Sequence, residues 1–233
     1  MKAIFKREFK AYFHTPVGFV LIAAYAFFLG LNFSLLFQYG QPLITEIIAG
    51  VSTVAAFVTP VLTMRLISDD RRQKVDQVLL TSPVTPFGIV MGKYLAALAV
   101  FAIGFAPTII FEIVFATYCK VNVLAYFYAL LGMILLGGAL IAIGMFISSL
   151  TESPVIAAIL TFFTNILIIY TASLSSMTSK AFLAKILNAM ALIQAYENFT
   201  TAVFAPKDII YFLSYSAVFI FLTVRSVESR RWA

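Results

Sequence analysis

The sequence predicts an all-α integral membrane protein: six transmembrane helices, an interfacial helix at the amino terminus, a helical loop in the cytoplasm and short re-entrant helices on the outer side. Three observations carry this expectation. Hydrophobic residues fill 62% of the 233 positions and charged residues 11%, against roughly a quarter charged in soluble domains. The apolar residues gather into runs close to the about twenty needed to cross a hydrocarbon core of roughly 30 Å. The Lys and Arg residues fall between the runs, so the net charge of +6 reports topology rather than a nucleic-acid surface. With mean hydropathy at +1.01, the chain reads as one transmembrane domain over residues 1–233, too short to hold a soluble catalytic domain as well.

From the amino terminus, residues 1–16 predict a surface helix. Phe5, Phe9, Tyr12 and Phe13 form one stripe beside Lys6, Arg7 and Lys10, and Pro16 ends it. The predicted spans are Val17 to Phe37, Ile47 to Met64, Leu95 to Ala116, Val123 to Ile147, Val155 to Leu174 and Ile209 to Val224. The first is longer than a signal-peptide core and is expected to be retained. The sixth is short and calls for local bilayer thinning or snorkelling neighbours. Placing the amino terminus inside leaves twelve Lys and Arg in the cytoplasm and four outside, which satisfies the positive-inside rule and puts both termini in the cytoplasm.

The third span should bend at Gly104 and Pro107, and it carries Glu112 near its outer end. An acid at membrane depth is a pathway or gate candidate by default. The fourth span carries Gly132, Gly137, Gly138 and Gly144, small residues that let helices approach closely. Ser148 to Pro154, with Glu152, makes a tight second cytoplasmic turn, and Asn165 in the fifth span is expected to bond a neighbouring helix. In residues 180–207, Phe182, Ile186, Ala189, Met190 and Ile193 recur at helical spacing. Tyr196, Glu197 and Asn198 then interrupt before Phe199 to Phe204, which predicts two short outer helices. Glu112, Asn165 and Glu197 are the candidates for a pathway or gate.

Arg65 to Lys93 is a charged island holding three of the ten acids and five of the sixteen Lys and Arg. Ser68 can cap a helix whose positive end suits Asp69 and Asp70, with Val75, Val78 and Leu79 as an apolar stripe and Thr81 to Pro86 as a stop. Such a helix can lie on lipid or fill a groove in a soluble partner. Gly88 to Lys93 falls short of a phosphate loop: it has too few residues between the glycines, and Tyr94 stands where Ser or Thr is required. HExxH and GxSxG are missing, His14 stands alone, and the single Cys119 can form no intrachain disulfide. No metal site and no catalytic residue is expected, so an intramembrane enzyme built on Glu112 or Glu152 with His14 lacks a converging constellation.

The segment MRLISDDRRQKVDQVLLTSPVTPFGIVMGKYLA, together with the surface helix and six spans, resembles the permease subunit of type-2 ATP-binding-cassette transporters, and among these the gliding-motility-type permeases. The matching residues are Asp69 to Arg72, Asp76, Leu79-Leu80, Pro83-Val84 and Gly92-Lys93; Lys74-Val75 stands where members often have Gly-Thr. The resemblance implies a type-2 exporter fold and a half-transporter in a prokaryotic cell membrane, with two permease chains pairing with two cytoplasmic ATPase subunits that hold ATP and Mg. It also implies that Asp69, Asp70, Arg71, Arg72, Val75, Asp76, Val78, Leu79 and Leu80 lie on a coupling helix spanning about Asp69 to Leu80. Glu152 would make a second cytoplasmic contact, and the outer helices would form part of a gate. A carrier or channel working without ATP is the alternative.

Overall fold

The computed structural model describes residues 1–38, 44–74, 85–118, 122–171, 175, 182, 191–200 and 206–229. Among them every regular element is a helix: α1 (Lys2–His14), α2 (Pro16–Gln38), α3 (Ile44–Gly50), α4 (Ser52–Thr63), α5 (Ser68–Arg72), α6 (Pro86–Gly104), α7 (Pro107–Tyr118), α8 (Val123–Leu150), α9 (Pro154–Ile169), α10 (Leu192–Thr200) and α11 (Pro206–Ser229). Among the described residues four stretches are long and apolar enough to cross a membrane: Pro16–Leu35, Pro86–Thr117, Val123–Leu150 and Pro206–Ser229. The sequence therefore yields a multi-pass, all-α membrane bundle.

The bundle is organised around α8, which packs against α3, α4, α5, α6, α9, α10 and α11. Its glycines make that crowding feasible. A Cβ at Gly138 would lie 2.8 Å from the Tyr94 hydroxyl and one at Gly132 would lie 2.6 Å from Phe199, while Gly137 leaves no room between α8 and the Phe101 ring. Without hydrophobic drive between helices inside lipid, such close backbone approach supplies the packing attraction. Around this axis Tyr25, Phe101 and Phe105 form a ring cluster with centroids 4.9 to 5.5 Å apart.

Several expected boundaries shift. The third span does bend where predicted: α6 ends at Gly104, Phe105 and Ala106 form a turn, and Pro107 opens α7. Its start, however, is Pro86 and not Leu95. Thr85 caps the helix by accepting from the Gly88 amide at 3.2 Å, and Pro86 occupies the first helical position, where a missing N–H costs nothing. The predicted second span is divided into α3 and α4 at Val51. The sixth, expected to be short, is a helix of 24 residues, whereas α9 has 16. Tyr196, Glu197 and Asn198 do not interrupt the segment predicted to lie outside but fall within α10, because Leu192, Tyr196 and Phe199 share one buried face at helical spacing. Residues 183–190 and 201–205 of that segment lie outside the described residues.

Tyr12 also departs from expectation. It leaves the aromatic stripe of α1 and turns into the protein, donating its hydroxyl to the Leu62 carbonyl at 2.6 Å. Burial pushes the phenol far above its ordinary value. α1 is thus bolted to α4 on one side and packs on α6 on another, where Gly92 faces Ile4.

Candidate functional site

The charged island begins where α4 ends. Residues 64–67 form a tight turn after α4, and α5 starts at Ser68 with no side-chain cap of its own. The expected Ser68 cap is not made. Its hydroxyl instead donates back to the Met64 carbonyl, and the buried amides at the helix start are satisfied from another helix. Ser148, at the end of α8, accepts from the Ile67 and Ser68 amides at 3.2 and 3.1 Å and donates to the Met64 carbonyl at 3.2 Å. One hydroxyl thereby uses its donor and both acceptor positions on a single turn.

Lys93 forms the second attachment. It sits seven residues into α6, roughly 10 Å along the axis at 1.5 Å per residue, and is 2% exposed. Its ammonium donates to the Leu66 carbonyl, to Asp70 Oδ2 at 2.7 Å and to Glu8 Oε1 at 3.1 Å. Those three acceptors match the three N–H bonds of the ammonium. Arg7 completes the cluster with Glu8 at 2.6 Å and Asp70 at 3.9 Å. Burial opposes the Glu8 carboxylate, but the charges of Lys93 and Arg7 outweigh it and hold the group below its ordinary value. Burial likewise works against the Arg7 guanidinium, and its bond to Glu8 with the neighbouring acids more than compensates, raising it.

The third attachment runs to the second turn. Arg71 meets Glu152 at 2.8 Å, between α8 and α9, so the two predicted cytoplasmic contacts are joined to each other. Arg65 and Asp69 approach at 3.7 Å along the loop. A cleft of about 330 Å³ opens between α1, α4 and α5, lined by Arg7, Glu8 and Tyr12 on one wall and Arg65, Asp69, Asp70 and Gln73 on the other.

The expected helix from about Asp69 to Leu80 is corrected at its middle. α5 stops at Arg72, and Lys74 adopts a left-handed backbone with φ of 56°. A residue in that conformation closes a helix rather than continuing it. Arg72, Gln73 and Lys74 are exposed. Val75, Asp76, Val78, Leu79 and Leu80 lie outside the described residues. The near-miss phosphate loop is part of α6, and its Gly92 serves packing, since a Cβ there would stand 3.1 Å from Ile4.

The gate candidates sit on three different helices. Glu112, on α7, has both carboxylate oxygens buried without a hydrogen-bond partner among the described residues. Asn165, on α9 and fully buried, donates to Thr59 Oγ1 of α4 at 2.8 Å while its own oxygen is unpartnered among them. Glu197 is exposed on α10, one residue before Asn198, which donates to the buried Asp208 at 2.8 Å. Among the described residues no three metal-ligating side chains come together.

Glu8, Lys93 and Ser148 were not singled out by periodicity. Lys93 had a readable signal, a lone cation between IVMG and YLAALAV behind the Thr85-Pro86 helix start. Glu8 and Ser148 had none, because their partners lie 85 and 80 residues away in sequence.

Residues 33–225 match the family model described as ABC-2 family transporter protein. No curated protein matches the chain.

Proposed function

The chain belongs to the ABC-2 family of transporter proteins and is a membrane permease of an ATP-binding-cassette transporter; from that premise we propose that it couples a partner's ATP hydrolysis to substrate movement, working as an exporter subunit. Two cytoplasmic ATPase subunits, which hold ATP and Mg, pair with two permease chains in a prokaryotic cell membrane, both termini facing the cytoplasm. Residues 65–93 are the docking element. Asp69, Asp70, Arg71 and Arg72 orient it, Val75, Val78, Leu79 and Leu80 anchor it with Asp76 among them, and Glu152 steadies it from the second turn.

The observation that supports this reading is the attachment pattern of the island's first half. Asp70 and the Leu66 carbonyl are held by Lys93 of α6, Glu8 of α1 shares that ammonium, and Ser148 and Glu152 hold the same turn from α8 and its exit. A pull on the loop therefore reaches α6, α8 and α1 together. Coupling requires that the partner contact the two states of the permease differently, and a loop tied to several helices converts one displacement into relative motion of those helices.

The test is co-expression with candidate ATPase subunits. Leu79→Asp is expected to abolish co-purification while the permease still inserts in the membrane. Normal co-purification of that variant overturns the docking assignment. Transport without ATP is the second reading, and Glu112, with its shielded carboxylate, is the observation that favours it. Failure to bind any candidate ATPase, together with a transport defect in Glu112→Gln, supports that alternative.

A further inference from the structure

The face of α1 that points away from the bundle carries Lys2, Lys6 and Lys10 at intervals of four residues, all exposed. None of the three forms an ion pair with a described residue, although Arg7 on the neighbouring face meets Glu8 and Asp70. A single row of free cations on an otherwise well-paired helix calls for an anionic counterpart.

The order of faces around α1 says where that counterpart lies. At about 100° per residue, Ile4 and Tyr12 centre the face buried in the protein. The rings of Phe5, Phe9 and Phe13 come next, stepping at 5.8 and 5.1 Å and reaching Phe19 of α2 at 5.7 Å. Phe19 is 60% exposed on a helix apolar enough to cross the membrane, so the ring ladder points toward hydrocarbon. The lysine row lies roughly 60° beyond the rings and nearly opposite the buried face. On a helix lying in the membrane surface with its rings toward hydrocarbon, that row falls on the side nearer the headgroups. Lysine stems can run along apolar surface while the ammonium reaches phosphate oxygens, and each ammonium brings three donors and no acceptor.

We infer that Lys2, Lys6 and Lys10 bind the phosphate groups of anionic phospholipids, making α1 a lipid-headgroup clamp for the bundle. The clamp uses a different face from the ATPase-docking element: its row points away from Glu8, Lys93 and the charged island. Because α1 also holds Asp70 through Arg7 and, with Glu8, the Lys93 ammonium, a lipid bound on one face stabilises the position of the island on the other.

The test uses the full chain in an uncharged detergent, titrated with short-chain phosphatidylglycerol or phosphatidylcholine. The wild type is expected to prefer phosphatidylglycerol, and the preference to weaken as salt is added. Lys2→Gln, Lys6→Gln and Lys10→Gln are each expected to lose about fivefold in phosphatidylglycerol affinity, and the triple variant nearly all the preference. Lys207→Gln, an exposed lysine at the start of α11, is expected to keep it. The single variants serve if the triple variant fails to fold by circular dichroism. Unchanged selectivity in the lysine variants overturns the clamp. So does competition by inorganic phosphate at lipid-like concentrations, which marks a free-phosphate site, or displacement of phosphatidylglycerol by an added ATPase subunit, which marks a protein-docking face.

Discussion

Lys93 and Glu112 both sit inside apolar helices, and the bundle treats them in opposite ways. Lys93 is 2% exposed and surrounded by acceptors from α1, from α5 and from the turn before α5. Glu112 has its carboxylate oxygens shielded with no partner among the described residues. A buried charge removed from its partners is costly, while one fully matched locks its neighbours in register. The difference therefore separates a joint from an unmatched acid: the matched cation holds three elements in one geometry, and the unmatched acid holds none.

The comparison breaks first on substitution. Lys93→Met leaves Asp70 and Glu8 facing an apolar side chain and is expected to destabilise the full chain by about 3–5 kcal/mol. Glu112→Gln keeps the shape and removes the need to bury a charge, so it is expected to be neutral or stabilising. Unfolding by dodecyl sulfate in mixed micelles measures both. Comparable losses in the two variants would end the distinction between the matched and the unmatched charge.

A smaller effect is expected at the tertiary cap. Ser148→Ala leaves the Ile67 and Ser68 amides without their acceptor and is expected to cost about 1–3 kcal/mol. Ser68→Ala removes only a bond back to the preceding turn and is expected to cost less. The reverse ranking would mean that α5 is capped by its own sequence after all.

The mildest probe is pH. The folded Glu8 carboxylate lies below its ordinary value of 4.5. A carboxylate depressed on folding contributes stability that is complete above the unfolded value and is lost as pH falls through the folded one. Acid stability curves of wild type and Glu8→Gln are therefore expected to converge below about pH 4.5. Curves that stay parallel through that window exclude Glu8 as a partner of Lys93.

Composition and run length make the all-α membrane bundle legible, since these depend only on local chemistry. The bend at Gly104 and Pro107 and the crowding at the glycines of α8 are readable for the same reason. The Pro86 start was equally written in Thr85-Pro86, but a proline seen as a stop for the preceding segment hides a first helical position for the next. The candidate site was half legible. Asp69 to Arg72 stand out as a charge cluster, yet Glu8 and Ser148, which help hold them, are distant in sequence, and Lys93, at the far end of the island, meets Asp70 only through folding. The end of α5 was hidden too, because a left-handed Lys74 carries no glycine to announce it.

The central claim is that Lys93 and Asp70 form a joint between α6 and α5. A double-mutant cycle of Asp70→Asn and Lys93→Met on the unfolding free energy of the full chain tests it most directly. The account predicts that the double variant loses less than the sum of the single variants, with a coupling of about 1–3 kcal/mol. Additivity within about 0.5 kcal/mol would contradict it.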